Sequence, residues 1–92
     1  MSLNAEISKT LYEIGEILTI KGDRFKSRAY NTAAHRVAAL PEDIGAVADR
    51  GELEKIPGVG KSIALTIGEY IESGMSSVLL DIKDSLPPGV LR

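Results

Sequence analysis

Apolar side chains recur at three- and four-residue spacing along almost the whole chain, the period of a helix with one buried face. Ile7, Leu11, Ile14 and then Ile17 or Leu18 predict a first helix from about Asn4 to Ile20. Gly22-Asp23 breaks the chain and restarts it, with Asp23 as the N-cap. Phe25, Ala29, Ala33, Val37 and Leu40 then draw one apolar stripe along a second helix that ends before Pro41. A short third helix is predicted from Glu42 to Asp49, buried through Ile44, Val47 and Ala48 and closed by Gly51. Leu53 and Ile56 flank one turn. The next helix runs from Lys61 to Ser73 with Ile63, Ala64, Ile67, Tyr70 and Ile71 inward, and Gly74 supplies a left-handed stop. Ser76 or Ser77 caps a last helix through Val78, Leu79 and Ile82, which Pro87-Pro88 ends. No stretch shows strand alternation, so the predicted fold is all-α, a compact bundle of about five helices.

Length and composition narrow the class. At 92 residues and 43% hydrophobic content, residues 1–92 form a single domain able to bury one core. The absence of cysteine excludes a disulfide framework and a thiolate metal site. No apolar run approaches eighteen residues and no basic-then-apolar leader opens the chain, so the expectation is a soluble, intracellular monomer with no membrane partner.

The net charge of −2 is unpromising for a nucleic-acid binder until the charges are placed. Lys21, Arg24, Lys26, Arg28 and Arg36, with His35, face the single acid Asp23 between positions 21 and 36. The acids lie elsewhere: Glu6, Glu13 and Glu16 before this segment, Glu69, Glu72, Asp81 and Asp84 after it. A local basic stripe governs phosphate contact more than the total does, although on a helix such a run can also simply face water. Lys26 and Tyr30 are four apart and share one side of the second helix, so an ammonium and a phenol stand together as a phosphate clamp.

Ile56-Pro57-Gly58-Val59-Gly60-Lys61-Ser62 carries the strongest chemistry. Proline ends the preceding turn, and two glycines one residue apart permit positive φ and close approach of a ligand to backbone. The helix that follows starts with unpaired amides and the positive end of its dipole, an anion site to which Lys61 adds a charge. Gly60-Lys61-Ser62 also resembles the tail of a nucleotide-binding P-loop, but that motif needs glycine where Lys55 stands. The remaining alternative is a plain helix-to-helix turn.

Two motifs together carry a family resemblance. Phe25-Lys26-Ser27-Arg28-Ala29-Tyr30 with Ala33-Ala34-His35-Arg36-Val37, followed by Gly51-Glu52-Leu53 and the Pro-Gly-Val-Gly hairpin, resembles the N-terminal domain of family X DNA polymerases, with a helix-hairpin-helix at about 52–73. The resemblance implies binding to gapped or nicked DNA in repair synthesis, with the 5′-phosphate and the strand backbone as the gripped groups. Lys26 matches a phosphate-binding lysine, Tyr30 its aromatic neighbour, and Arg28 lies beside them. Gly58, Val59, Gly60, Lys61 and Ser62 match the hairpin that takes the backbone. The carbonyls of Glu54, Ile56 and Val59 match those that hold a monovalent cation, sodium or potassium. Leu86-Pro87-Pro88-Gly89-Val90-Leu91 resembles the connection into the next polymerase subdomain, so the resemblance also implies a longer parent enzyme. That parent would hold the nucleotidyl-transfer carboxylates and their divalent metal.

Departures from the family pattern matter equally. Beta-type members place a Schiff-base lysine where this chain has Thr66, and a threonine cannot form an imine. Two further basic positions fall on Glu54 and Ser62, and a histidine position falls on Phe25. Lys61 is offset from Thr66 by five residues, about 140° around a helix. No catalytic residue is therefore expected in this chain, and lyase activity is expected to be absent. The lone His35, with no second histidine or paired carboxylate, reads as a surface or phosphate-side residue. The competing class is a helical protein-interaction module that uses the hairpin surface to dock a partner.

Overall fold

A computed structural model describes residues 2–74 and 76–84. Its elements are α1 (Leu3–Ile20), α2 (Arg24–Ala38), α3 (Ile44–Asp49), a 3₁₀ turn at Leu53–Lys55, α4 (Lys61–Ser73) and α5 (Ser77–Asp84), with no strand among the described residues. The all-α expectation holds, with boundaries within two residues of those predicted wherever the ends are described. The Pro87-Pro88 stop and the Leu86–Leu91 connection lie outside the described residues.

Three helix starts have a local side-chain cap. Ser2 Oγ accepts from the Ala5 amide at 3.1 Å and opens α1, and Asp23 Oδ1 accepts from the Lys26 amide at 3.1 Å and opens α2. Ser76 Oγ accepts from the Leu79 amide at 3.2 Å, which selects Ser76 as the cap of α5. The third helix begins at Ile44, not Glu42, because Asp43 takes the extended N-cap conformation. Its first amide is served from a distance: Asn4 Oδ1 accepts from Ile44 N at 2.9 Å while Asn4 Nδ2 donates to the Glu42 carbonyl at 2.8 Å. One side chain thus ties the start of α1 to the start of α3.

The long α1–α2 hairpin is the backbone of the fold and its largest helix pair. Ile7, Leu11 and Ile14 from α1 share one core with Ala33, Ala34 and Val37 from α2, all at 1% exposure or less. Such residues exclude water almost entirely, so truncating one, as in Ile14→Ala, costs about 2–5 kcal/mol. A polar seam lets the two helices approach closely. Ser27 Oγ and Thr19 Oγ1 both donate to the Gly15 carbonyl, at 2.9 and 3.1 Å. A Cβ at Gly15 would collide with the Asn31 amide and come within 3.3 Å of the Ser27 carbonyl. Ser8 Oγ donates to the Ala34 carbonyl at 2.8 Å, and no buried side-chain polar atom among the described residues lacks a partner.

Ile44, Ile56, Val59, Ile63 and Ile67 extend the same core under the hairpin. The predicted α2 stripe needs one correction. Its buried residues are Ser27, Tyr30, Ala33, Ala34 and Val37, while Phe25 is 85% exposed. The buried line follows 27, 30, 34 and 37, and Phe25 sits past its edge on the first turn, where no other element covers it. Among the described residues no helix is long and apolar enough to cross a membrane.

Candidate nucleic-acid interface

The hairpin is a turn whose sequence dictates its geometry. Val59 N donates to the Ile56 carbonyl at 3.0 Å, with Pro57 and Gly58 between them and Gly58 at φ 86°. Proline at the second position and a positive-φ glycine at the third define a type II turn. A Cβ at Gly58 would also stand 3.0 Å from Thr32 Cγ2 of α2, so the turn lies directly against that helix. Gly60 behaves differently from the expectation of a second positive φ. Its φ is −88° with ψ −174°, an extended N-cap conformation, and a Cβ there would meet nothing within 4 Å. Gly60 therefore matters as open space at the start of α4.

No side chain caps α4. Among the described residues it is the helix of eight residues or more whose first turn receives no side-chain acceptor, in contrast to α1, α2 and α5. Its amides and dipole are left for an acceptor from outside the chain.

α2 supplies the opposite wall. Lys26, Tyr30, Gly58, Gly60 and Ser62 line one cavity of about 700 Å³. Five residues from two motifs about thirty positions apart in sequence thus share one hollow. Tyr30 is 7% exposed and its hydroxyl lies 3.4 Å from Thr66 Oγ1, so it forms the cavity's inner wall, not an outward clamp. Arg28 lies around the corner, in an adjoining hollow of about 540 Å³ that shares Gly58 and Phe25 with the first. Val59 is buried in the core beneath the turn, and Lys61 is exposed but lines neither hollow.

The sequence marks three further cavity residues for the basic stripe, a helix cap and a departure from the family pattern, but not among the expected DNA-binding residues. Lys21 and Asp23 reach it because the α1–α2 turn folds back beside the hairpin, and Phe25 projects between the two hollows. The chemistry is mixed: a carboxylate and two ammonium groups at the rim, apolar walls from Leu18, Ala29 and Ile63, and bare backbone at Gly58 and Gly60. Asp23 is already engaged with the α2 amide, which leaves its charge in place but orients it toward backbone.

Thr66 is 4% exposed and donates its hydroxyl to the Ser62 carbonyl at 3.2 Å. It is a buried helix residue held by its own turn, facing Tyr30. His35 is exposed, with Nε2 2.8 Å from the Tyr12 hydroxyl and the two rings edge-to-face at 5.3 Å. Glu54 is exposed, and among the described residues no group of three or more His, Asp or Glu side chains is arranged to hold a metal.

The backbone below the turn has spare acceptors. Pro57 lacks the amide that would close a 3₁₀ bond onto the Glu54 carbonyl, and among the described residues no backbone donor reaches the carbonyl of Glu54 or Val59. The Ile56 carbonyl accepts from Val59 and keeps a second lone pair.

Comparison with known sequences fits this geometry. A model for a helix-hairpin-helix domain matches residues 2–76. The chain belongs to that helix-hairpin-helix family. It is also 32% identical over 87 residues to the DNA polymerase/3'-5' exonuclease PolX of Bacillus subtilis (strain 168), a family X polymerase, within that protein's N-terminal region. The match takes in 94% of this chain and 15% of the relative. The chain therefore spans about a sixth of that protein's length.

Proposed function

We propose that this helix-hairpin-helix domain binds DNA through backbone phosphate. A 5′-phosphate is seated between Lys26 and the open backbone at Gly58, Gly60 and Ser62, and the adjoining strand lies across the hairpin. The observation that carries the reading is the shared cavity of about 700 Å³, which Lys26, without an ion pair among the described residues, lines together with the uncapped start of α4. A phosphate there meets a positive helix end, helix-start amides and an ammonium. The resemblance to a polymerase many times longer supports a role as the DNA-gripping module of a repair polymerase acting on gapped or nicked DNA.

The carbonyls of Glu54, Ile56 and Val59 are the groups we propose for a monovalent cation, a reading supported by two of them having no backbone donor among the described residues and the third a spare lone pair. Such an ion supplies positive charge beneath the turn. The ligands in this reading are main-chain carbonyls, so the site is nearly indifferent to side-chain identity.

The same cavity argues against imine chemistry at the family position. Thr66 is buried behind Tyr30 and does not line the cavity; its hydroxyl cannot form an imine, and an amine placed there would have to pass Tyr30 to reach a bound ligand. Borohydride trapping on an incised abasic duplex should leave the chain uncaptured, with Thr66→Lys regaining only a trace. Efficient capture that disappears in Lys21→Ala, Lys26→Ala or Lys61→Ala would show another lysine acting in its place.

Binding to a gapped duplex with and without its 5′-phosphate, across a salt series, tests the main reading. About three phosphate contacts predict a log–log slope near −3, and removal of the 5′-phosphate should weaken binding clearly. A flat salt response would favour apolar docking of a protein partner instead.

A further inference from the structure

One side of α4 is accounted for by the core, which buries Ile63, Thr66 and Ile67. The opposite side is not. Lys61, Leu65, Gly68 and Glu72 fall at i, i+4, i+7 and i+11, within about 60° of one another around the helix, and make one outward strip. Leu65 is 69% exposed in the middle of it. A single exposed leucine is ordinary on a protein surface, but the glycine beside it is not ordinary in a helix interior. Glycine there costs about 1 kcal/mol relative to alanine, and a Cβ at Gly68 would meet nothing within 4 Å in this chain. No contact inside the domain therefore calls for the missing side chain, and the strip presents an apolar knob next to an open notch.

The strip is also complementary to itself. Positions 61 and 72 are centred on the same point as positions 65 and 68, between Thr66 and Ile67. A two-fold axis through that point lays a second α4 antiparallel on the first. Leu65 of each copy then enters the notch at Gly68 of the other, and Lys61 of each meets Glu72 of the other. Among the described residues neither Lys61 nor Glu72 takes part in an ion pair, so both charges are available. A parallel pairing would instead set lysine against lysine and glutamate against glutamate, which the charges oppose.

We propose that α4 packs antiparallel on α4 of a second copy of this chain through Lys61, Leu65, Gly68 and Glu72. One helix face is small beside the roughly 1,200–2,000 Å² of a stable interface, so the dimer is weak and forms on concentration, in place of the monomer expected from the sequence. The ion pairs at its two ends fix the direction and register of the helices more than they add affinity. Lys61 lines neither hollow and no cavity residue takes part, so the pairing needs no DNA.

The test is sedimentation equilibrium of the 92-residue chain without DNA, from about 10 μM to about 1 mM, where the average mass should climb from monomer toward dimer. Gly68→Ala should move two readouts in opposite directions. Its melting temperature in dilute solution should rise, because alanine is the better helix former, while its dimerisation should weaken several-fold, because the new Cβ fills the notch. Lys61→Glu and Glu72→Lys should each weaken dimerisation, and the double variant, with both pairs reversed, should regain it. The chain has no cysteine, so Leu65→Cys and Gly68→Cys proteins can be mixed and oxidised, and the mixed cross-link should exceed either self cross-link. A monomer at every concentration would overturn the proposal and leave the strip to water or to a different protein. It also fails if Gly68→Ala dimerises as well as the unmodified chain, if the double charge variant regains nothing, or if the self cross-links predominate.

Discussion

Arg50 and Arg28 carry the same charge on one small domain, and they live in opposite surroundings. Arg50, at the end of α3, is held by Glu42 at 3.0 Å and by Glu52 at 2.8 Å, and Lys55 closes on Glu52 at 3.1 Å. These hydrogen bonds raise the Arg50 pKa further above an already high value and lower that of Glu52, chiefly through Arg50 and then Lys55. On α2 the charges of Arg24, Lys26, Arg28 and Arg36 meet no carboxylate partner among the described residues. A cation that has found its anion inside the chain serves the fold, and one left without an anion is available to a ligand. The net charge of −2 hides this division, because acids neutralise one region and leave the other bare.

The sharpest way to break the comparison is at the glycines of the two regions. Gly51, beside the paired corner, and Gly58, beside the unpaired helix, both hold positive φ, at 69° and 86°. Valine at either position is strained by about 1–2 kcal/mol. Only Gly58 also faces a neighbour, with Thr32 Cγ2 at 3.0 Å, and only Gly58 lines the cavity. Gly58→Val should therefore lose both melting temperature and DNA affinity, the latter by about tenfold or more, equivalent to roughly 1.4 kcal/mol. Gly51→Val should lose melting temperature alone. Equal affinity losses in the two variants would mean that general destabilisation, not the hairpin surface, governs binding.

Lysines give a smaller and cleaner contrast. Lys26→Ala removes one phosphate contact, so the salt slope should fall by about 0.9, whereas Lys55→Ala breaks only a surface pair and should leave the slope unchanged. A fall in both would deny that pairing separates the two sets. Lys61→Ala should fall between them, its charge lying near the start of α4 but outside both hollows.

How far this division was legible in the sequence depends on the range of the contacts that create it. The helices were readable because Ile7, Leu11, Ile14 and Ile67 repeat at the helical period, and the type II turn because Pro-Gly allows little else. Gly74 at φ 73° ends α4 as its position implied. Tyr30 was expected beside Lys26, but its burial depends on Thr66, 36 residues away, and no local pattern encodes that approach. The Asn4 clasp on α3 crosses 40 residues and left no signal. Phe25 misled because its spacing matches the apolar stripe while its neighbours in space end one turn short. Pairing of Arg50 by Glu42 and Glu52 was likewise invisible, since it needs the loop after α2 to return to the end of α3.

Asp23 tests whether the unpaired region is tuned as well as bare. Its carboxylate lines the cavity while its Oδ1 accepts from the Lys26 amide at 3.1 Å. Serine caps a helix about as well as aspartate, so Asp23→Ser should preserve stability and remove one negative charge from the phosphate's surroundings. Affinity for the 5′-phosphorylated duplex should rise a few-fold at low salt and converge with the unmodified chain as salt screens the repulsion. Unchanged affinity at low salt would place the bound phosphate beyond reach of Asp23.

The smallest effect belongs to the paired corner and is a dependence on pH. Glu52 has a pKa below its ordinary value because Arg50 and Lys55 hold its charged form. The unfolded chain therefore binds a proton more readily than the folded one, so the contribution of Glu52 to stability is present above the ordinary carboxylate range and fades as pH falls through the lowered value. Glu52→Gln should reduce the melting temperature slightly at neutral pH and not at all once acid has already discharged the carboxylate. These side chains are solvent-exposed, so high salt should shrink even that difference. Thermal melts of the two proteins at several pH values, with and without added salt, measure it directly. DNA affinity at neutral pH should be the same in both. An affinity change as large as that of Lys26→Ala would show that the paired corner also touches the ligand, and the separation between the two regions would not stand.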